Sequence, residues 1–155
     1  MDTRSLNNLN TLHPKFRQSA IDAWTEAQAA MPENVKIVVV QGLRTFIESD
    51  TLYNQGRKTP GEIVTKAKAG QSYHNYGLAF DFSMITNGKE DDGVGPNWLR
   101  VVEIMKKHGM TWGGDFPEGF HDNPHFENRY GKNWRELLEL YNAGHFIPGT
   151  KYVNF

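Results

Sequence analysis

The stretch Leu78-Ala79-Phe80-Asp81-Phe82-Ser83-Met84 reads as an apolar strand with a carboxylate lodged between two phenylalanines. A carboxylate in such a strand is costly to desolvate unless it is paired or bound to a metal. The fold must therefore either leave Asp81 at a partly exposed strand end beside a cation or bring ligands to it. Thiolates are not available, because the chain of 155 residues contains no cysteine. Disulfide frameworks, thiolate zinc sites, Cys-ligated iron–sulfur clusters and cysteine nucleophiles are excluded together. Any metal has to be held by His, Asp and Glu.

Length sets one domain, 1–155, large enough to bury a core without covalent staples. Seventeen Lys+Arg against eighteen Asp+Glu give a net charge of −1, which argues against a nucleic-acid footprint or a polybasic membrane anchor. The longest apolar run, Ile37–Val40, is far too short for membrane insertion, and the first residues carry no apolar leader. The expectation is cytoplasmic synthesis without a signal peptide, and a monomer.

Hydrophobic spacing lays out the elements. Phe16, Ala20, Trp24, Ala27 and Met31 predict a helix over 14–31 that opens on Pro14. Val35–Val40 predicts a buried strand and Ile47–Asn54 a short helix, with a polar, basic surface loop from Gly56 to Gly70. After Leu78–Met84 comes an acidic turn or hairpin over Asn87–Gly95. A helix is predicted over Asn97–His108, a short strand at Met110–Trp112, irregular chain over Phe116–Pro124 and a last helix over Trp134–Tyr141. Helices and strands mix without a βαβ repeat, so the fold class is α+β: a small antiparallel sheet with helices packed on it.

Two segments could carry chemistry. Ser72-Tyr73-His74-Asn75-Tyr76-Gly77 precedes Asp81. On one straight strand His74 and Asp81 would point to opposite faces, so they converge only if the chain turns between them, and Gly77 permits that turn. The second segment is His121-Asp122-Asn123-Pro124-His125-Phe126-Glu127. Two His four apart with an acid beside the first superficially match a helical zinc motif, but Pro124 opposes a helix, so His121 and His125 are not paired. His125 is the better ligand candidate, with Asp122 reaching the same place or merely forming the turn. Arg44, directly after the first strand, suits a carboxylate or an oxyanion, or else a surface salt bridge. Trp112, Phe126 and Trp134 read as core packing, with lining of a pocket as the alternative for each. His108 sits where a helix end favours a cation, and His13 and His145 read as structural or surface residues.

Ser72-x-His74-x-x-Gly77-x-Ala79-x-Asp81 together with Asp122-x-x-His125 resembles the two-part signature of zinc peptidases that act on D-amino-acid peptides of bacterial cell walls. That family includes D-Ala-D-Ala carboxypeptidases, dipeptidases and L-alanyl-D-glutamate endopeptidases. Trp112-Gly113-Gly114-Asp115, Pro124-His125-Phe126-Glu127 and Gln41-Gly42-Leu43-Arg44-Thr45 look most like the endopeptidase branch, found in phage endolysins and bacterial autolysins. The resemblance runs over nearly the whole chain, with no separate wall-binding domain. It implies a Hedgehog-like or D-Ala-D-Ala-peptidase-like fold with the zinc site in a cleft. His74, Asp81 and His125 would hold Zn²⁺, with Asp122 as general base and Glu127 as the spare acid that could replace it. Arg44 would stabilise the carbonyl or oxyanion. Ser72 would orient substrate or a ligand, and Trp112 would contact substrate. Three protein ligands leave a zinc position open, as catalysis requires.

The implied activity is hydrolysis of the L-Ala–D-Glu bond in the peptidoglycan stem peptide, on the wall, after holin-type or lysis-dependent release. The alternatives are a D-Ala-D-Ala carboxypeptidase, a non-catalytic zinc-containing module and a structural phage component.

Overall fold

The computed structural model describes residues 2–155. Strands β1 (Val35–Gln41) and β2 (Ala79–Thr86) pair antiparallel, with Val35 opposite Thr86 and Val39 opposite Phe82. The register shifts between Val39 and Gln41, just before the chain leaves the sheet toward Arg44. Alternation along β2 puts Phe80, Phe82 and Met84 on the buried face and Asp81, Ser83 and Ile85 on the more open one. Asp81 thus escapes the core that its neighbours fill.

Helices cover the buried face. α2 (Pro14–Ala29) turns Phe16, Ala20, Trp24 and Ala27 inward, and the Trp24 indole donates to the Ile37 carbonyl at 2.9 Å. α4 (Pro96–Lys107) contributes Trp98, Val101, Val102 and Met105. The Phe16 ring stacks on Phe80 at 6.1 Å, and Trp98 tilts against Phe82 at 4.6 Å. Fully burying one such aromatic is worth about 1.5–3 kcal/mol, so the inward face of β2 anchors the strand that carries Asp81.

On the other side of β2, the three-residue strand β5 (His125–Glu127) pairs antiparallel, with Asp81 opposite His125, and β4 (Thr111–Trp112) pairs with β5. β3 (Lys89–Glu90) folds back on the end of β2 through Asn87 and Gly88, both at positive φ as a tight hairpin turn demands. Two further helices are α3 (Phe46–Asn54) and α5 (Trp134–Asn142), each opened by a reciprocal cap, Thr45 with Glu48 and Asn133 with Glu136. The α+β class and the antiparallel sheet are as expected.

Two elements have no counterpart in the sequence expectations. One is β5. The other is α1 (Thr3–Leu9), which lies against the free edge of β1. The Ser5 hydroxyl accepts from the Val39 N–H at 2.9 Å, and the Asn8 amide donates to the Val39 carbonyl at 2.8 Å. These bonds satisfy backbone groups that an open edge would leave bare.

Candidate metal centre

His74 enters from a short 3-10 turn, Tyr73–Tyr76. The Ser72 hydroxyl accepts from the His74 N–H at 3.2 Å and starts the turn. Gly77 ends it at φ +69°, where a Cβ would lie 2.5 Å from the His13 nitrogen. The turn places His74 over the open face of β2, where Asp81 projects. His125 arrives from β5, directly across from Asp81. Asp81 Oδ1 lies 3.2 Å from both His74 Nε2 and His125 Nδ1. One donor atom from each of the three residues falls within 4.8 Å of the others.

The remaining imidazole nitrogens show what this cluster fits. His74 Nδ1 faces the Gly42 carbonyl at 2.9 Å, and His125 Nε2 faces Glu127 Oε1 at 2.7 Å. Both partners only accept, so each of those nitrogens carries the hydrogen. In the neutral rings, the lone pairs of His74 Nε2 and His125 Nδ1 then converge on a carboxylate oxygen. Lone pairs aimed at lone pairs repel; a cation between them relieves the conflict. An N, N, O donor set without sulfur suits zinc-type coordination, and each His is held by an outer partner as metal-bound His usually is.

Electrostatics agree with that geometry. Burial works against charge on Asp81, yet the two imidazoles hold its carboxyl well below the usual carboxylate range. Burial likewise opposes a charged His125, but Asp81 and Glu127 together push its pKa up to about 9. This fold has assembled negative potential around nitrogen donors, which a metal cation satisfies without protons.

Asp122 stands at the rim, its Oδ2 3.8 Å from His125 Nδ1 and its side chain half exposed. Burial first, and the charge of Asp81 second, raise its pKa, against the lowering effect of His125, His74 and Arg44. The turn that carries it is clamped from behind. The Asp122 N–H donates to the Gly113 carbonyl at 2.9 Å, and the Trp112 indole donates to the Asn123 carbonyl at 2.7 Å. Trp112, expected to contact substrate, spends its polar atom on this brace. Gly114 leaves room for the indole, since a Cβ there would lie 2.3 Å from the ring.

Arg44 is stitched to the His74 turn by its backbone. Its N–H donates to the His74 carbonyl at 2.9 Å, and its carbonyl accepts from Asn75 Nδ2 at 3.0 Å. Its Nε is buried without a hydrogen-bond partner among the described residues. Glu127, named as the spare base, is placed elsewhere. It binds the His125 nitrogen remote from Asp81 and is buried against Arg129, so it sits behind the imidazole. Nδ1 and Nε2 lie on opposite sides of one ring, so Glu127 faces away from Asp81.

A family model described as D-alanyl-D-alanine carboxypeptidase matches residues 65–128, the stretch that holds His74, Asp81, Asp122 and His125. Peptidoglycan L-alanyl-D-glutamate endopeptidase CwlK of Bacillus subtilis (strain 168) is 44% identical over 131 aligned positions, covering 75% of this chain and 72% of the relative. The chain belongs to the D-Ala-D-Ala carboxypeptidase and L-alanyl-D-glutamate endopeptidase family.

Two solved structures share the fold of this metallopeptidase family member. The L-Ala D-Glu endopeptidase ChiX of Serratia marcescens superposes with a TM-score of 0.56 at 22% identity, over 82% of this chain and 87% of that one. The vancomycin-resistance D,D-dipeptidase VanXYg, in complex with a D-Ala-D-Ala phosphinate analogue, gives 0.57 at 21% identity, over 88% of this chain and 61% of that one.

Some residues that build the site escaped the sequence reading. Gly42 orients His74 through its backbone carbonyl, a role no side-chain pattern encodes. Buried Asn75 accepts from the N–H groups of Gly70 and Ser72 and donates to Arg44 and to the Ser49 hydroxyl, tying three segments around the His74 turn. For Glu127 a signal existed: His-x-Glu on a strand puts both side chains on one face.

Proposed function

We propose that this chain is a zinc-dependent peptidoglycan hydrolase that cleaves the L-Ala–D-Glu bond of the stem peptide. The convergence of His74, Asp81 and His125 in a chain 44% identical to an L-alanyl-D-glutamate endopeptidase carries the reading. In it, these three side chains would hold zinc, which when bound would supply Lewis acidity for activating water and polarising the scissile carbonyl. Asp122 is the general base. Its raised pKa suits a group that takes a proton from the attacking water and returns it to the departing amine of D-Glu. The Arg44 guanidinium is near enough to Asp122 for its charge to pull down the Asp122 pKa, and a planar cation there fits an oxyanion or a substrate carboxylate.

Ser72 serves the site through its cap on the His74 turn, and Trp112 through its brace on the Asp122 turn, in addition to any substrate contact. All these residues come from one chain, which suits a monomer as the working unit. The cell wall is the place of action. No helix among the described residues is long and apolar enough to cross a membrane.

The description of the matching family model favours one second reading, a D-Ala-D-Ala carboxypeptidase. Digestion of purified walls followed by mass analysis separates the two. New amino termini on D-Glu support the endopeptidase, and released D-Ala supports the carboxypeptidase. Neither product from zinc-loaded protein contradicts both.

A further inference from the structure

Glu127 is a buried acid with no part in the proton transfers above. It is 1% exposed, one carboxylate oxygen lies 2.7 Å from His125 Nε2, and the other accepts from Arg129 Nε. The Arg129 guanidinium lies 4.4 Å from the centre of the Tyr73 ring and 5.9 Å from that of Phe116. Phe116 in turn packs on His125 at 5.7 Å, and Tyr73 adjoins His74 in the chain. Arg129, about half exposed, therefore covers Glu127 between these two rings and supplies the countercharge that a buried carboxylate needs.

The two imidazoles are oriented unequally. His74 donates to a neutral carbonyl, and His125 donates to a carboxylate. A charged acceptor draws harder on the N–H, fixes the tautomer more firmly and makes the opposite nitrogen a better electron donor. Strand geometry makes the arrangement rigid, because residues 125 and 127 project on the same side of β5 while the backbone of β5 is bonded to both β2 and β4.

We propose that Glu127, anchored by Arg129, is a positioning residue for His125: it locks the proton on Nε2 and presents Nδ1 to the metal. The inference rests on the zinc reading above. It makes His125 the ligand whose outer support matters most, with Arg129 as a lever on metal affinity that acts through Glu127.

The test is zinc affinity of the apo-protein, measured by competition with a chromophoric chelator, together with the visible spectrum of the cobalt-loaded protein. Glu127→Ala is expected to weaken zinc about 10–100-fold. Glu127→Gln, which keeps an acceptor oxygen but not the charge, should lose less, and Arg129→Gln less again. A changed cobalt ligand-field band in Glu127→Gln supports the assignment, since a residue serving only the packing would not alter it. Should Glu127→Ala fail to melt cooperatively, Glu127→Gln carries the test. Wild-type zinc affinity and an unchanged cobalt spectrum in a folded Glu127→Gln would overturn the positioning role while leaving the zinc reading intact. Absence of zinc binding by the wild-type chain would overturn both.

Discussion

Gly113→Ala is a single methyl group, outside the cluster, that should disable it. A Cβ at 113 would lie 2.1 Å from the Asp122 carbonyl oxygen, 3.0 Å from its carbon and 2.9 Å from His125 Cβ. Two of these are backbone atoms, which no rotamer change can move aside. Ordinary contact begins near 3.4 Å, so the Asp122 carbonyl has to retreat by about 1.3 Å. That carbonyl accepts the His125 N–H at 3.1 Å, and the Asp122 N–H is bonded to Gly113 itself, so Asp122 and His125 move together. Displacing reacting groups by about 1 Å can cost on the order of 100-fold in rate. Overpacking adds roughly 1–3 kcal/mol of destabilisation, and a chain of this size loses about 2–4 °C in Tm per kcal/mol. The assay pairs thermal melting with kcat/KM on soluble muropeptide. A folded Gly113→Ala protein with at least half of wild-type kcat/KM would refute the close-approach argument.

Other perturbations probe separate parts of the molecule. Asp122→Asn should retain zinc but lose about 10²–10⁴-fold in kcat, as removal of a general base does; near-normal turnover would remove Asp122 from that role. His13 sits in the core with Nε2 bonded to the Val153 carbonyl at 2.7 Å and Nδ1 accepting from the Lys15 N–H at 3.0 Å. Burial, chiefly, lowers its pKa from 6.5, so the unfolded chain binds the proton more readily. Its contribution to stability is therefore complete above about pH 6.5 and is lost as pH falls through the lower folded-state pKa. Denaturant midpoints from pH 7.5 to 5 should fall less in His13→Gln than in the wild type; parallel curves would contradict the assignment. Phe80→Ala should cost about 3–5 kcal/mol by chemical denaturation, because it empties the core beneath Asp81; a loss under 1 kcal/mol would show that this face is loosely packed.

Long amphipathic segments were legible in the sequence. Phe16, Ala20, Trp24 and Ala27 mark α2, and Trp98, Val101, Val102 and Met105 mark α4, within two residues of their observed ends. So was the bend between His74 and Asp81, since only a turn at Gly77 lets both reach one place. What stayed hidden depends on tertiary contact. α1 has seven residues and earns its helix by bonding Ser5 and Asn8 to the edge of β1. β5 has three residues, too few to show an alternation, and exists because β2 and β4 flank it. The braces from Gly42, Trp112 and Ser72 run between side chains and backbone groups, and residue identity alone names neither partner.

On the zinc reading, His74, Asp81 and His125 form one metal site. Elemental analysis of the purified protein alongside Asp81→Ala and His125→Ala measures it most directly. One zinc per wild-type chain is expected, with loss of stoichiometric zinc in both variants. Zinc retained at the wild-type ratio in folded Asp81→Ala and His125→Ala proteins would contradict it.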